Sequence, residues 1–60
     1  MTKLQEHLDK RGMSRSALSR LTGIQLKTIS ALCEGRRGGR MDTWRLMAQK
    51  LRCNLSDILE

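Results

Sequence analysis

The stretch from Ser14 to Gly35, SRSALSRLTGIQLKTISALCEG, constrains the fold more than any other part of this 60-residue chain. It reads as two short amphipathic helices broken by one glycine. Apolar or small residues fall at Ala17, Leu18, Leu21, Ile24, Ile29 and Leu32, the positions that two helices folded against each other must bury. Ser14 is a good N-cap for the first of them, because its hydroxyl can accept from an amide left unpaired at the helix start. Gly23 can supply the positive φ of a sharp turn without the steric penalty of a Cβ. Gly35 is placed to close the second helix. A helix–turn–helix of this size is the unit that sets one helix into the DNA major groove.

Charge points to the same segment. The chain carries 12 Lys and Arg against 6 Asp and Glu, a net charge of +6. Between Arg11 and Arg40 the basic residues are Arg11, Arg15, Arg20, Lys27, Arg36, Arg37 and Arg40, and the only acid is Glu34. Outside that span the two signs balance, so the whole excess lies on and beside the helix pair. A domain with clustered basic charge has the electrostatic footprint of a phosphate-backbone binder. The plainer alternative is a solvated basic surface that keeps a small protein soluble. The helix pattern favours nucleic acid.

Size excludes much else. Sixty residues are expected to form one domain, 1–60, with no room for a second core, a ligand-sensing domain or a substrate cleft. With no Phe, no Tyr and one Trp, its core must be Leu, Ile and Met around Trp44. No Pro interrupts any helix, which suits an all-α fold. No run of about 18 apolar residues exists to span a membrane, and MTKLQEHLDK is too charged for a signal peptide. Cys33 and Cys53 are too few and too far apart for a zinc framework. One disulfide is conceivable, but two reduced, partly buried thiols are the better default and fit a reducing cytoplasm. His7 lacks partners at ligand spacing, so neither a metal nor a catalytic role is expected of it. No nucleophile with its base, paired carboxylates or phosphate-cradling loop is present, and no enzyme activity, cofactor or small-molecule ligand is expected.

Periodicity and caps divide the rest of the chain. A first helix is expected from about Thr2, its N-cap, to Lys10, with Leu4 and Leu8 on one buried stripe. Gly12 stops it, and Met13 tucks into the core. The second helix runs from about Arg15 to Leu21 and the third from about Leu26 to Glu34. Arg36, Arg37, Gly38, Gly39 and Arg40 form a basic loop. A fourth helix starts near Asp42, a strong N-cap residue, and reaches about Leu51, with Trp44, Met47, Ala48 and Leu51 at i, i+3, i+4 and i+7. A short fifth helix covers about Leu55 to Leu59, with Asn54 and Asp57 spaced as a capping box.

MSRSALSRLTGIQLKTISALCEGRR, followed by MDTWRLMAQKLRCNLSDIL, resembles the phage repressor and Cro family of helix-turn-helix DNA-binding domains (XRE type). The resemblance covers about Leu4 to Leu59. It implies an all-α fold, a compact five-helix bundle of the lambda-repressor type, with the helix-turn-helix made by the second and third helices. It further implies a bacterial or phage-encoded regulator that works at the nucleoid and binds double-stranded palindromic DNA as a homodimer.

The family's base-reading positions match Gln25, Leu26, Lys27, Thr28 and Ala31. The residues select the same face: Ile24, Ile29 and Leu32 point to the core and leave these outward. Gln25 can bond adenine twice, Lys27 can donate to guanine O6 and N7, and Leu26 and Ala31 can pack on thymine methyls. Leu26 also reads as a core leucine in a shifted register. Phosphate contacts are expected from Ser14 and Arg15 at the start of the second helix, from Ser30 (or Thr28) on the third, and from Arg36, Arg37 and Arg40 in the loop. Such contacts hold register and read no sequence. For Arg11 and Arg20 a solvated role is at least as good a reading.

Three residues depart from the family pattern. Gln25 stands where a Ser or Thr usually caps the third helix, Ser19 where Ala usually packs, and Arg52 where Gly often ends the fourth helix. The dimer interface, formed in solution or completed on DNA, is expected around Arg52, Asn54, Leu55 and Ile58, the last two also being candidates for the core. A different class of function remains open, a protein-interaction module such as an antitoxin or a repressor's partner that offers its basic third-helix face to an acidic protein. RNA binding is disfavoured by the lack of stacking aromatics.

Overall fold

The computed structural model describes residues 2–36 and 40–59. Among them lie four α-helices, α1 (Lys3–Arg11), α2 (Arg15–Thr22), α3 (Leu26–Cys33) and α4 (Met41–Leu51), and a 3-10 turn at Leu55–Asp57. There is no strand among the described residues. α2 packs on α3 and α4, α1 packs on α3, and the 3-10 turn closes against α1 and α4.

Local chemistry sets the helix ends. Thr2 caps α1 by accepting from the Gln5 amide at 3.1 Å, and the same hydroxyl donates to the Cys33 carbonyl at 2.7 Å. One side chain thus starts α1 and ties it to the end of α3. Behind Gly12 and Gly35 the chain closes α1 and α3 with paired reverse bonds: Gly12 N–H to Asp9 and Met13 N–H to Leu8, then Gly35 N–H to Leu32 and Arg36 N–H to Ala31. Met13, thrown inward by its closure, packs against the core.

The core is one cluster: Leu4 and Leu8 of α1, Leu18 of α2, Ile29, Leu32 and Cys33 of α3, Trp44, Met47, Ala48 and Leu51 of α4, and Ile58. Each fully buried Leu or Ile in it contributes about 1.5–3 kcal/mol over leaving that side chain in water. α1, α3 and α4 join the core by the helical stripe their sequences display, and α2 by Leu18 alone. Both cysteines are free thiols, Cys33 buried and Cys53 half-buried. Burial pushes both above the ordinary thiol range.

Four expectations need correction. The fifth helix is only the 3-10 turn at Leu55–Asp57. Asn54 and Asp57 do form the capping box, with the Asn54 amide donating to Asp57 Oδ2 at 2.9 Å. It closes on so few residues that the i to i+3 bonds Asp57 to Asn54 and Ile58 to Leu55 dominate. Ile58 then leaves helical geometry and is fully buried, which takes it out of any exposed dimer surface.

Asp42 is not the N-cap of α4. Arg40 holds that place without a side-chain bond. The Trp44 amide reaches back to the Arg40 carbonyl, so the helix begins one residue ahead of Asp42. Asp42 lies instead in the first turn, where its charge meets the positive end of the helix dipole.

Leu21, expected to be buried, is 45% exposed. α2 is eight residues long and buries only Leu18 fully. Leu21 lies in its last turn, at the edge of that stripe. Finally, Arg11 is not merely solvated: its guanidinium donates to the Leu51 carbonyl at the end of α4 and through Nε to His7 Nε2 at 2.9 Å. It therefore fastens α1 to the end of α4 and places a cation at the negative end of that helix.

Candidate nucleic-acid interface

The turn between α2 and α3 positions everything that follows. Ser14 caps α2 by accepting from the Ala17 amide at 3.0 Å. Gly23 ends the helix at φ 78°, ψ 6°, with its amide on the Ser19 carbonyl at 2.8 Å. A Cβ there would meet no atom within 4 Å, so the demand for glycine is one of backbone conformation, not space. Ser19 donates its hydroxyl to the Ile24 carbonyl at 2.5 Å. The Thr22 hydroxyl donates to the Leu18 carbonyl and accepts from the Ile24 amide. Ser19, unusual where Ala is common, thus pins the turn from the α2 side, and its hydroxyl is satisfied.

α3 has no side-chain cap at Gln25, yet it starts where expected. The Thr28 and Ile29 amides both bond the Gln25 carbonyl at 3.1 Å, and Ile29, Leu32 and Cys33 fix the rotation of the helix by burial. The opposite face is left outward. Gln25, Leu26 and Lys27 are exposed, and Thr28, Ser30 and Ala31 are half-buried. Leu26 is 45% exposed, which removes its reading as a core leucine.

An open groove of about 700 Å³ runs along one flank of this helix. It is lined by Ile24, Lys27, Thr28, Ala31 and Leu32 from the α3 side and by Arg36, Arg40 and Thr43 from the other. Three expected base readers, Lys27, Thr28 and Ala31, therefore share one concavity with two expected phosphate contacts, Arg36 and Arg40. Gln25 and Leu26 stand outside it at the start of α3. Ser14 and Arg15, at the start of α2, do not line the groove, but Arg15 adjoins its edge through Glu34, which also pairs with Arg36. Ser30 is not among the groove residues, and Arg37 lies outside the described residues.

Two residues of the site were not singled out by the sequence. Thr43 lines the groove because α4 begins at Met41. The early start, unlike the Asp42 cap, has no side-chain signature. Glu34 is the second. One carboxylate oxygen lies 3.2 Å from Arg15, and the other pairs with Arg36 at 2.5 Å. Arg15 also donates through Nε to Gln5 Oε1 at 2.9 Å. The signal was present in the sequence: Glu34 is the only acid from Arg11 to Arg40.

Two helices at a glycine turn, an outward face mixing Gln, Leu, Lys and Thr, and a groove rimmed by arginine define a helix-turn-helix nucleic-acid-binding domain. A family model for the Cro/C1-type HTH DNA-binding domain matches residues 3–60, so the chain belongs to that family, whose members bind double-stranded DNA. No curated protein and no solved structure matches the chain. No helix among the described residues is long and apolar enough to cross a membrane.

Proposed function

We propose that residues 1–60 form one domain that works in the cytoplasm as a sequence-specific regulator of transcription. In this reading the protein is a repressor that occupies a palindromic operator as a homodimer, with α3 in the major groove. The observation that carries the reading is the groove beside α3, where Lys27, Thr28 and Ala31 adjoin Arg36 and Arg40. Base recognition and phosphate anchoring must meet at such a seam, because the groove floor and its bordering backbone lie side by side on a duplex.

Gln25 is assigned to adenine and Lys27 to guanine, and Leu26 and Ala31 to thymine methyls. Thr28 can bond either a base edge or a phosphate oxygen. Ser14, Arg15, Ser30, Arg36, Arg37 and Arg40 are assigned to phosphates. A monomer spans only a half-site, so two copies set about 34 Å apart along one DNA face supply the specificity. Exposed Arg52 and Asn54, with half-buried Leu55, are the surface offered for that pairing.

The test is duplex binding as a function of salt. A dimer that neutralises about 6–10 phosphates loses about 10³–10⁵-fold in affinity between 50 and 200 mM salt. A flat response would contradict the reading. A second reading, a module for a protein partner, draws support from Leu21, Leu26 and Met41, each 45% exposed. It predicts retention of an acidic protein in the absence of duplex.

A further inference from the structure

The two ion pairs of Glu34 are not explained by the stability of the helix that carries it. Glu34 is the C-cap of α3, where a carboxylate has the wrong sign for the helix dipole. The end of α3 is already closed by the main-chain bonds of Gly35 and Arg36. The pairs themselves are exposed, with side-chain exposures of 43% for Glu34, 32% for Arg15 and 68% for Arg36. At such exposure each pair is worth about 0–1 kcal/mol. What Glu34 does hold is two of the guanidinium groups assigned above to DNA phosphates, one on each carboxylate oxygen.

We infer that Glu34 is an intramolecular substitute for backbone phosphate, occupying Arg15 and Arg36 in the free protein and releasing them when a duplex docks. The inference rests on the DNA-binding reading. Two carboxylate oxygens, each on one guanidinium, mimic the two non-bridging oxygens of a phosphate. Weak, exposed pairs exchange readily for contacts to a polyanion. Arg15 keeps its bond to Gln5 when Glu34 lets go, so it stays oriented for the incoming backbone. The released carboxylate remains near the phosphates and repels them. Glu34 thereby lowers the affinity common to all sequences and leaves base preference untouched.

The experiment is a salt titration of duplex binding with a random duplex and with a selected site, for the unaltered protein and for Glu34→Gln. Helix content and thermal melting are followed alongside. Glu34→Gln should tighten both duplexes by a similar factor, about 3–10-fold at low salt, and steepen the salt slope by about one. In an Arg36→Gln background that gain should shrink. If the unaltered protein binds with a salt slope but Glu34→Gln binds no better, the inference is overturned and the DNA reading survives. If the unaltered protein binds no duplex even at low salt, both fail. Should Glu34→Gln not fold, Arg36→Gln and Arg40→Gln carry the test. Arg40 has no ion pair among the described residues, so its loss should weaken binding more than the loss of Arg36. Equal losses would overturn the inference.

Discussion

Arg52 and Lys27 show how much a single residue can decide. Arg52 adopts φ 56°, ψ 47°, the left-handed conformation, and it is the one non-glycine residue to do so among those described. Closing α4 demands it: the Arg52 amide bonds Gln49 and the Cys53 amide bonds Ala48, the same paired closure that glycines provide for α1 and α3. A side chain in that conformation costs about 1–2 kcal/mol, part of which glycine returns as extra entropy in the unfolded chain. Arg52→Gly should therefore raise stability by up to about 1 kcal/mol, read from urea denaturation with an unchanged m-value. Lys27 faces outward beside Arg40 in the groove, yet the two are assigned different work. Lys27→Ala should cost about 1–3 kcal/mol on the preferred site and relax base preference at one position. Arg40→Ala should weaken every duplex alike and reduce the salt slope by about one. If Lys27→Ala behaves like Arg40→Ala in a binding series over point-changed duplexes, its assignment as a base reader is wrong.

At the scale of elements, the α2–turn–α3 unit depends on a few atoms around Gly23. Gly23→Val puts a β-branched residue at φ 78°, and should destabilise the free protein by about 1–3 kcal/mol, visible in a thermal melt without DNA. Most of this unit was legible in the sequence. Ser14, Gly23 and Gly35 mark its boundaries because caps and left-handed turns demand particular residue types, and Ile29 and Leu32 mark its buried face because helical period is a physical constraint. Leu21 stays exposed because being apolar says nothing of whether a neighbour lies opposite, and a helix of eight residues has too few turns to cover every leucine. The start of α4 is not legible in the sequence, because Asp42 has the better capping chemistry while the actual N-cap, Arg40, makes no side-chain bond. The pairing of Arg15 with Glu34 and Gln5 joins residues 19 and 10 positions apart, and no local pattern encodes it. At the end of the chain the capping box was readable from Asn54 and Asp57, but the length of the element it closes was not, since that is fixed by the burial of Ile58.

For the molecule as a whole, stability and function draw on separate surfaces. Trp44 is the one aromatic side chain and lies in the core at 5% exposure. Trp44→Ala should cost about 3–5 kcal/mol, a large part of the roughly 5–15 kcal/mol that stabilises a typical domain, and its loss should be followed by denaturation rather than by DNA binding alone. The basic excess is carried by the segment from Arg11 to Arg40, of which Lys27, Arg36 and Arg40 line the groove beside α3. The exposed face of α3 is proposed to read a paired DNA site. The most direct measurement is selection of random duplexes by the purified protein at two salt concentrations, with sequencing of what is retained. Enrichment of an inverted repeat whose half-site centres lie about ten base pairs apart is expected, at the lower salt above all. Retention that fades with salt but enriches no motif would contradict sequence-specific reading by α3, and no retention at either salt would contradict DNA as the target.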